Sequence, residues 1–269
     1  MVQSRISNRF RDLRNAKSKA LIAYLTAGDP DLGTTVRIMH CLVSAGATII
    51  ELGVPFSDPM ADGEVIQRAS QRAIAKGTSL VDVLECVSLF REKDSVTPIV
   101  LMGYMNPFEC MGPSYFAERA KKAGVDGILI VDLPPEEAKE INFACAEQGL
   151  DQIFLVAPNT SDRRAIEITR QASGFVYFVS VKGVTGGKGL AVEDIRKRIS
   201  FVREITDLPV GVGFGIRTTH EAFEVAKISD AVIVGSAIVR IIEEEKNVES
   251  LLVQVGEFVQ ELSLAINRA

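Results

Sequence analysis

The chain has 269 residues, 47% of them hydrophobic and 24% charged, with a net charge of −5 and a pI near 5.3. That balance supports a large core and gives nucleic acid no basic, aromatic-studded surface to grip. No apolar run reaches the ~18 residues of a membrane span, and the charged stretch from Met1 to Lys19 lacks the apolar segment of a secretory leader, so a cytoplasmic protein without membrane association is expected.

Cys41, Cys86, Cys110 and Cys145 are scattered, with no Cys-x-x-Cys pair. Reduced thiols are expected rather than a disulfide framework or a zinc site. The two histidines, His40 and His220, both fall in helical patterns. A histidine metal site or a Ser-His-Asp triad is therefore not expected, and acid–base work falls to carboxylates or tyrosines.

In chain order, residues 4–16 predict a charged amphipathic helix. Ala20 to Thr26 reads as the first strand, stopped by Ala27-Gly28-Asp29-Pro30-Asp31. A helix over 34–45 ends at Gly46, a suitable C-cap. Thr48-Ile49-Ile50 is β-branched and apolar, as a strand covered on both faces requires, and it runs into Glu51. Helices follow at 64–76 and 80–93. Pro98 to Met102 is the third strand, followed by a loop over Gly103-Tyr104-Met105-Asn106-Pro107 and a helix over 114–123. Gly127 to Asp132 is the fourth strand, and Pro134-Pro135-Glu136-Glu137 places prolines and acids where a helix begins. Gln152 to Val156 and Phe175 to Ser180 are the fifth and sixth strands, the first of them followed by a helix from Ser161-Asp162. A helix over 192–205, a strand Pro209 to Val212, a helix capped by Thr218, and a strand Ala231 to Val234 complete the pattern. The last helical region divides near Lys246-Asn247.

Eight strands, each followed by helix, predict a parallel sheet. The unit Ser44-Ala45-Gly46-Ala47-Thr48-Ile49-Ile50-Glu51 is echoed by residues 122–129 and, less fully, by 227–234. Eight units in a chain near the usual length favour one (β/α)8 barrel over residues 1–269 with an extra N-terminal helix, the alternative being an open doubly wound sheet. Barrel enzymes keep their chemistry at the carboxyl ends of the strands. Glu51, Asp132 and three glycine-rich loops all fall there.

Those loops are Gly183-Val184-Thr185-Gly186-Gly187, Gly211-Val212-Gly213-Phe214-Gly215 and Gly235-Ser236. Glycine lets backbone N–H groups approach an anion, and Gly235-Ser236 opens a helix, where free N–H groups favour phosphate. Phe214, Tyr24 and Tyr177 read either as core aromatics or as walls of an apolar pocket beside that phosphate. A carboxylate among such walls has its pKa raised, which suits Glu51 to act as both acid and base. The residues alone thus predict a barrel enzyme using carboxylate catalysis on a phosphorylated, partly apolar substrate.

The stretch Glu51-Leu52-Gly53-Val54-Pro55-Phe56-Ser57-Asp58-Pro59-Met60-Ala61-Asp62-Gly63 closely resembles the signature of the tryptophan synthase α subunit family. Residues 25–30, 183–186, 212–216 and 234–238 resemble the family's other blocks in order, so the likeness spans nearly the whole chain. It implies a carbon–carbon lyase of tryptophan biosynthesis that splits indole-3-glycerol phosphate by retro-aldol cleavage into indole and glyceraldehyde 3-phosphate. It implies Glu51 and Asp62 as catalytic residues, and Tyr24, Tyr177, Thr185, Gly186, Phe214, Gly215, Gly235 and Ser236 around the substrate. No metal and no cofactor on this chain are implied. The partner is a β subunit carrying pyridoxal phosphate, in an α2β2 heterotetramer, with Asp58 on the contact surface. Loops 53–62 and 183–190 match the family's two mobile loops. Glu64, Lys182 and the Tyr104-Met105-Asn106 run depart from the family pattern. A free-standing lyase without a partner, a chiefly regulatory subunit, and a Schiff-base aldolase using Lys182 are the rival readings.

Overall fold

The computed structural model describes residues 4–179, 192–213 and 215–269. Its strands are β1 (Ala20–Thr26), β2 (Ile49–Gly53), β3 (Ile99–Gly103), β4 (Gly127–Ile130), β5 (Asp151–Val156), β6 (Val176–Val179), β7 (Val210–Gly213) and β8 (Ala231–Val234). All pair in parallel in chain order, and β8 pairs back onto β1, so the sheet is a closed barrel and the open alternative is excluded. Around it lie α1 (Arg5–Asn15), α2 (Leu32–Ser44), α3 (Glu64–Ala75), α4 (Leu80–Arg91), α5 (Met105–Met111), α6 (Pro113–Ala123), α7 (Lys139–Glu147), α8 (Asp162–Gln171), α9 (Val192–Ile205), α10 (Thr219–Ala226), α11 (Ser236–Glu244) and α12 (Val248–Ile266).

Strand side chains alternate between the barrel interior and the helix layer. The inward set at the amino-terminal end is apolar: Ile22, Ile49, Val100, Leu129, Ile153, Phe175, Ala231 and Ile233 form one buried cluster. The extra helix α1 stops this mouth. Its buried Ile6 and Phe10 join the cluster, and the Phe10 ring lies 5.9 Å from that of Phe175. Asp126 fastens the same end. It is 5% exposed and accepts from Arg5 Nη1 (2.8 Å), Arg91 Nη2 (2.7 Å) and the Ile99 N–H (2.8 Å).

The expected caps are present. Thr218 and Glu221 form a capping box on α10, and Asn247 caps α12, where the last helical region divides. Three local expectations are corrected. Residues 105–111 are helix rather than loop, because Pro107 occupies the first turn, where a missing N–H costs nothing. Strand β4 ends at Ile130, and Asp132 caps α5, its Oδ1 accepting from the Met105 N–H at 2.8 Å. Helix α7 begins at Lys139, not at the two prolines; residues 134–138 form turns, with the N–H groups of Glu137 and Ala138 bonded to the Pro134 and Pro135 carbonyls.

Replacing Asp126 by Asn keeps its shape and removes the charge that Arg91 faces, leaving a guanidinium 11% exposed without its buried counter-ion. Urea denaturation is expected to show a loss of roughly 3 kcal/mol with an unchanged slope; a loss below the error of the measurement would mean that Asp126 does not fasten the barrel base.

Candidate active site

One step above the apolar floor the inward positions change character. Ile22 gives way to Tyr24 on β1, Ile49 to Glu51 on β2, and Tyr177 stands beyond Phe175 on β6. Tyr24 and Glu51 are direct partners across the β1–β2 pair. Glycine makes room for both tyrosines. A Cβ on Gly53 would lie 2.2 Å from the Tyr24 hydroxyl, and one on Gly213 would lie 2.5 Å from that of Tyr177. Gly213 was expected to belong to an anion-binding cluster; its position makes it an aromatic seat instead. The Tyr24 hydroxyl also shares a 3.2 Å hydrogen bond with Thr26 Oγ1.

Glu51 is 1% exposed, and its Oε1 is buried with no hydrogen-bond partner among the described residues. Loss of hydration disfavours the charged form, and the negative charge of Asp62 disfavours it further. Together they push the Glu51 carboxyl up to about 8. Asp62 is half-buried, which pushes it up to about 6, while a hydrogen bond from Tyr104 holds it lower than burial alone would. Near neutral pH the pair is divided: Glu51 mostly protonated, Asp62 mostly ionised. Two carboxyl groups whose surroundings separate their acidities are a basis for assigning acid and base roles.

Asp62 is placed by a loop with little freedom. Its N–H bonds to the Pro59 carbonyl at 3.1 Å, and its own carbonyl accepts from Gln67 Nε2 at 2.8 Å. Tyr104, at the end of β3 and 2% exposed, donates to Asp62 Oδ2 (3.1 Å) and accepts from the Ala61 N–H (3.0 Å). Its ring stacks on Phe56 of the same loop with centroids 5.1 Å apart. The sequence reading missed this residue, noting it only within a variant run. Its place at the carboxyl end of a barrel strand was the available signal.

On the other side of Tyr24, β8 is followed by Gly235, which precedes α11. The first turn of α11 has no capping side chain and no acid, so its N–H groups are open to an anion. A Cβ on Gly235 would sit 3.2 Å from that of Tyr24, which keeps this turn close to the pocket. Gly215 is left-handed at φ 63°, with open space where a side chain would project. Of the predicted site residues, Glu51, Asp62, Tyr24 and Tyr177 converge: both tyrosine hydroxyls are raised in pKa by burial, with further contributions from the charges of Glu51 and Asp62. Gly215, Gly235 and Ser236 lie at the same end of the barrel. Thr185, Gly186, Phe214 and Lys182 lie outside the described residues. Asp58 is exposed, and its carboxylate accepts from the Ser57 hydroxyl at 2.6 Å, away from the pocket. Among the described residues no group of three or more His, Cys, Asp or Glu is arranged to hold a metal ion, and no helix is long and apolar enough to cross a membrane.

A closed eightfold barrel whose strand ends gather buried polar side chains around a pocket is the architecture of a (β/α)8-barrel enzyme. The family model for the tryptophan synthase alpha chain matches residues 10–267. The tryptophan synthase alpha chain of Nitrosococcus oceani is 56% identical over 244 residues, covering 91% of this chain and 90% of its own, and that of Hydrogenovibrio crunogenus is 49% identical over 268 residues, covering 99% and 98%. A crystal structure of tryptophan synthase subunit alpha from Legionella pneumophila superposes with a TM-score of 0.92 at 40% identity and 100% coverage of both chains. The chain belongs to the tryptophan synthase alpha chain family, whose lyase reaction is the cleavage of indole-3-glycerol phosphate.

Two outcomes are expected. Tyr104→Phe removes the bond that favours ionised Asp62, so the acidic limb of the pH–rate profile should move to higher pH; an unmoved limb would detach Tyr104 from Asp62. Glu51 holds its proton more tightly folded, at about 8, than unfolded, near the ordinary value of 4.5. Its contribution to stability is therefore full below pH 4.5 and is lost as pH rises towards 8, amounting to a few kcal/mol. Glu51→Gln abolishes that loss, so its melting temperature relative to the parent should climb between pH 5 and pH 8.5. A difference independent of pH would contradict the raised pKa of Glu51.

Proposed function

We propose that Glu51 and Asp62 carry the cleavage, Glu51 moving the protons and Asp62 steadying the ring. The observation supporting this is the buried, unpartnered, protonated Glu51 beside an ionised Asp62. Cleavage begins with a proton placed on indole C3, which leaves the ring a cation with its positive charge shared by the ring nitrogen. Protonated Glu51 gives that proton, and Asp62 accepts the ring N–H, so its charge is worth most when the cation forms. The Glu51 carboxylate left behind then takes the proton of the side-chain hydroxyl next to the ring. The O–H electrons form the aldehyde C=O, the carbon–carbon bond breaks, and its electrons return to the ring as neutral indole. Glu51 ends as it began, protonated.

The described groups serve one substrate pose: Tyr24 and Tyr177 wall the indole, and the turn at Gly235 and Ser236, with Gly215, holds the phosphate. The family likeness alone assigns Thr185 and Gly186 to the phosphate and Phe214 to the apolar wall, since all three lie outside the described residues. The reaction so written needs no cofactor from this chain. Released indole passes to a β subunit in the tryptophan synthase complex, an α2β2 assembly in the cytoplasm, where pyridoxal phosphate on the partner serves the next step. Asp58, exposed beside Met60 at 84% exposure, is the contact offered from this chain.

Indole release measured in single turnover tests the roles. Glu51→Gln is expected to lower the cleavage rate roughly 10²–10⁴-fold, and Asp62→Asn roughly 10²–10³-fold, each with substrate affinity little changed. Cleavage near the parent rate in either variant removes that residue from the mechanism. The parent profile should have an acidic limb near 6 and an alkaline limb near 8, properties of the coupled pair. In Asp62→Asn the alkaline limb should fall to lower pH, since one cause of the raised Glu51 is gone.

A further inference from the structure

Helix α3 starts two residues after Asp62, and helix α11 starts at the proposed phosphate turn. Between them lies an ion cluster that the chemistry above does not use. Arg72 of α3 grips Asp29, in the loop after β1, with both ends of its fork: Nε to Oδ1 at 2.9 Å and Nη2 to Oδ2 at 2.7 Å. Asp29 is 2% exposed. The remaining Arg72 nitrogen, Nη1, reaches Glu243 Oε1 at 2.7 Å, and Arg68, one turn earlier on α3, grips Glu243 through both oxygens at 2.7 Å each. Glu243 sits in the last turn of α11. Its carboxyl, bonded by two guanidinium groups, is held down to about 2, so Glu243 is charged at any working pH.

The cluster stands over an apolar contact in which Ala69 of α3, Val239 of α11 and Tyr24 meet. Burial of small apolar groups resists separation of two helices but does little to fix their offset along each other. Bidentate guanidinium–carboxylate pairs are directional and do fix it. From α3, the helix that follows the Asp62 loop, Arg72 grips two other segments: the loop that follows Tyr24 and Thr26, and the helix whose first turn is assigned to the phosphate. Gln67, beside Arg68, extends the same helix to the Asp62 carbonyl.

We propose that Arg72 and Glu243 are positioning residues that set the separation between Asp62 and the first turn of α11, so that the chain measures the length of its substrate from ring nitrogen to phosphate. The proposal rests on the assignments of Asp62 to the ring and α11 to the phosphate. A substrate held at both ends by elements that could slide would gain affinity from each end but no preference for the three-carbon spacer between them.

Calorimetry on the full chain tests this with four probes. Three are uncleavable compounds joining indole C3 to phosphate through two, three or four saturated carbons, and the fourth is glycerol 3-phosphate, which engages the phosphate end alone. The parent chain is expected to favour the three-carbon spacer. In Glu243→Gln, binding of the three-carbon compound should fall roughly tenfold and the preference among spacers should flatten, while glycerol 3-phosphate stays within about twofold. Arg72→Lys, which keeps the charge and loses the fork, should do the same. A variant that melts lower but keeps the parent's spacer preference would reduce the cluster to a stabilising contact and overturn the proposal. A parent chain that binds glycerol 3-phosphate but shows no spacer preference overturns it too. A parent that does not bind glycerol 3-phosphate defeats the phosphate assignment itself, a different failure.

Discussion

A carboxyl group sealed in the barrel at Glu51, its Oε1 without a hydrogen-bond partner among the described residues, is the constraint around which this end of the barrel is arranged. An ionised group so placed would be costly, and the molecule answers by keeping the proton on. That answer is also what the proposed chemistry asks for, because a group that is to protonate a ring carbon has to hold its proton at working pH. The unfavourable environment is tolerated because it is local. The apolar floor beneath Glu51 and the helix α1 that stops the other mouth have nothing to do with catalysis, so stability is gathered at one end of the barrel and spent at the other.

Glycine plays two different parts around this site. Gly53 and Gly213 have no side chain because tyrosine hydroxyls occupy the space where one would be. Gly235 leads into the uncapped first turn of α11 with Tyr24 packed against it, and Gly215 takes a left-handed conformation beside open space. The first pair seats aromatic rings and the second serves the turns of the chain, so the same residue type does not carry a single meaning. A barrel interior at this level is narrow, and two aromatic side chains can enter it only where neighbouring strands give up volume.

Much of the fold was legible because a parallel strand covered on both faces is an uninterrupted apolar run, and eight such runs alternate with helical patterns. Glu51 was legible for the same reason: it breaks such a run. Asp62 was not legible by itself. Asp58, Asp62 and Glu64 are three similar acids around one loop, and only the likeness to a family singled one out. What distinguishes Asp62 physically is Tyr104, forty-two positions away, whose hydroxyl meets its carboxylate. Helix α5, which follows Tyr104, was read as loop because Pro107 looks like a breaker when its place in the first turn is unknown. The ion cluster was invisible for the same reason as Tyr104. Asp29, Arg72 and Glu243 are separated by 43 and 171 positions, and surface-type residues give no periodic signal of a buried partnership.

The two carboxylates differ because their addresses differ. Glu51 stands on a strand and is fully enclosed; Asp62 stands on a loop and is half-buried. Two acids on adjacent strands at that depth would share one proton, as close dyads do, and neither would have a role of its own. The loop address separates them, and it adds a dependence. The charge of Asp62 is one cause of the raised Glu51, so the strength of the acid varies with how near the loop holds Asp62. Tyr104, Phe56 and Gln67 fix that nearness from inside the site. Loop position therefore adjusts a proton affinity that burial has already raised.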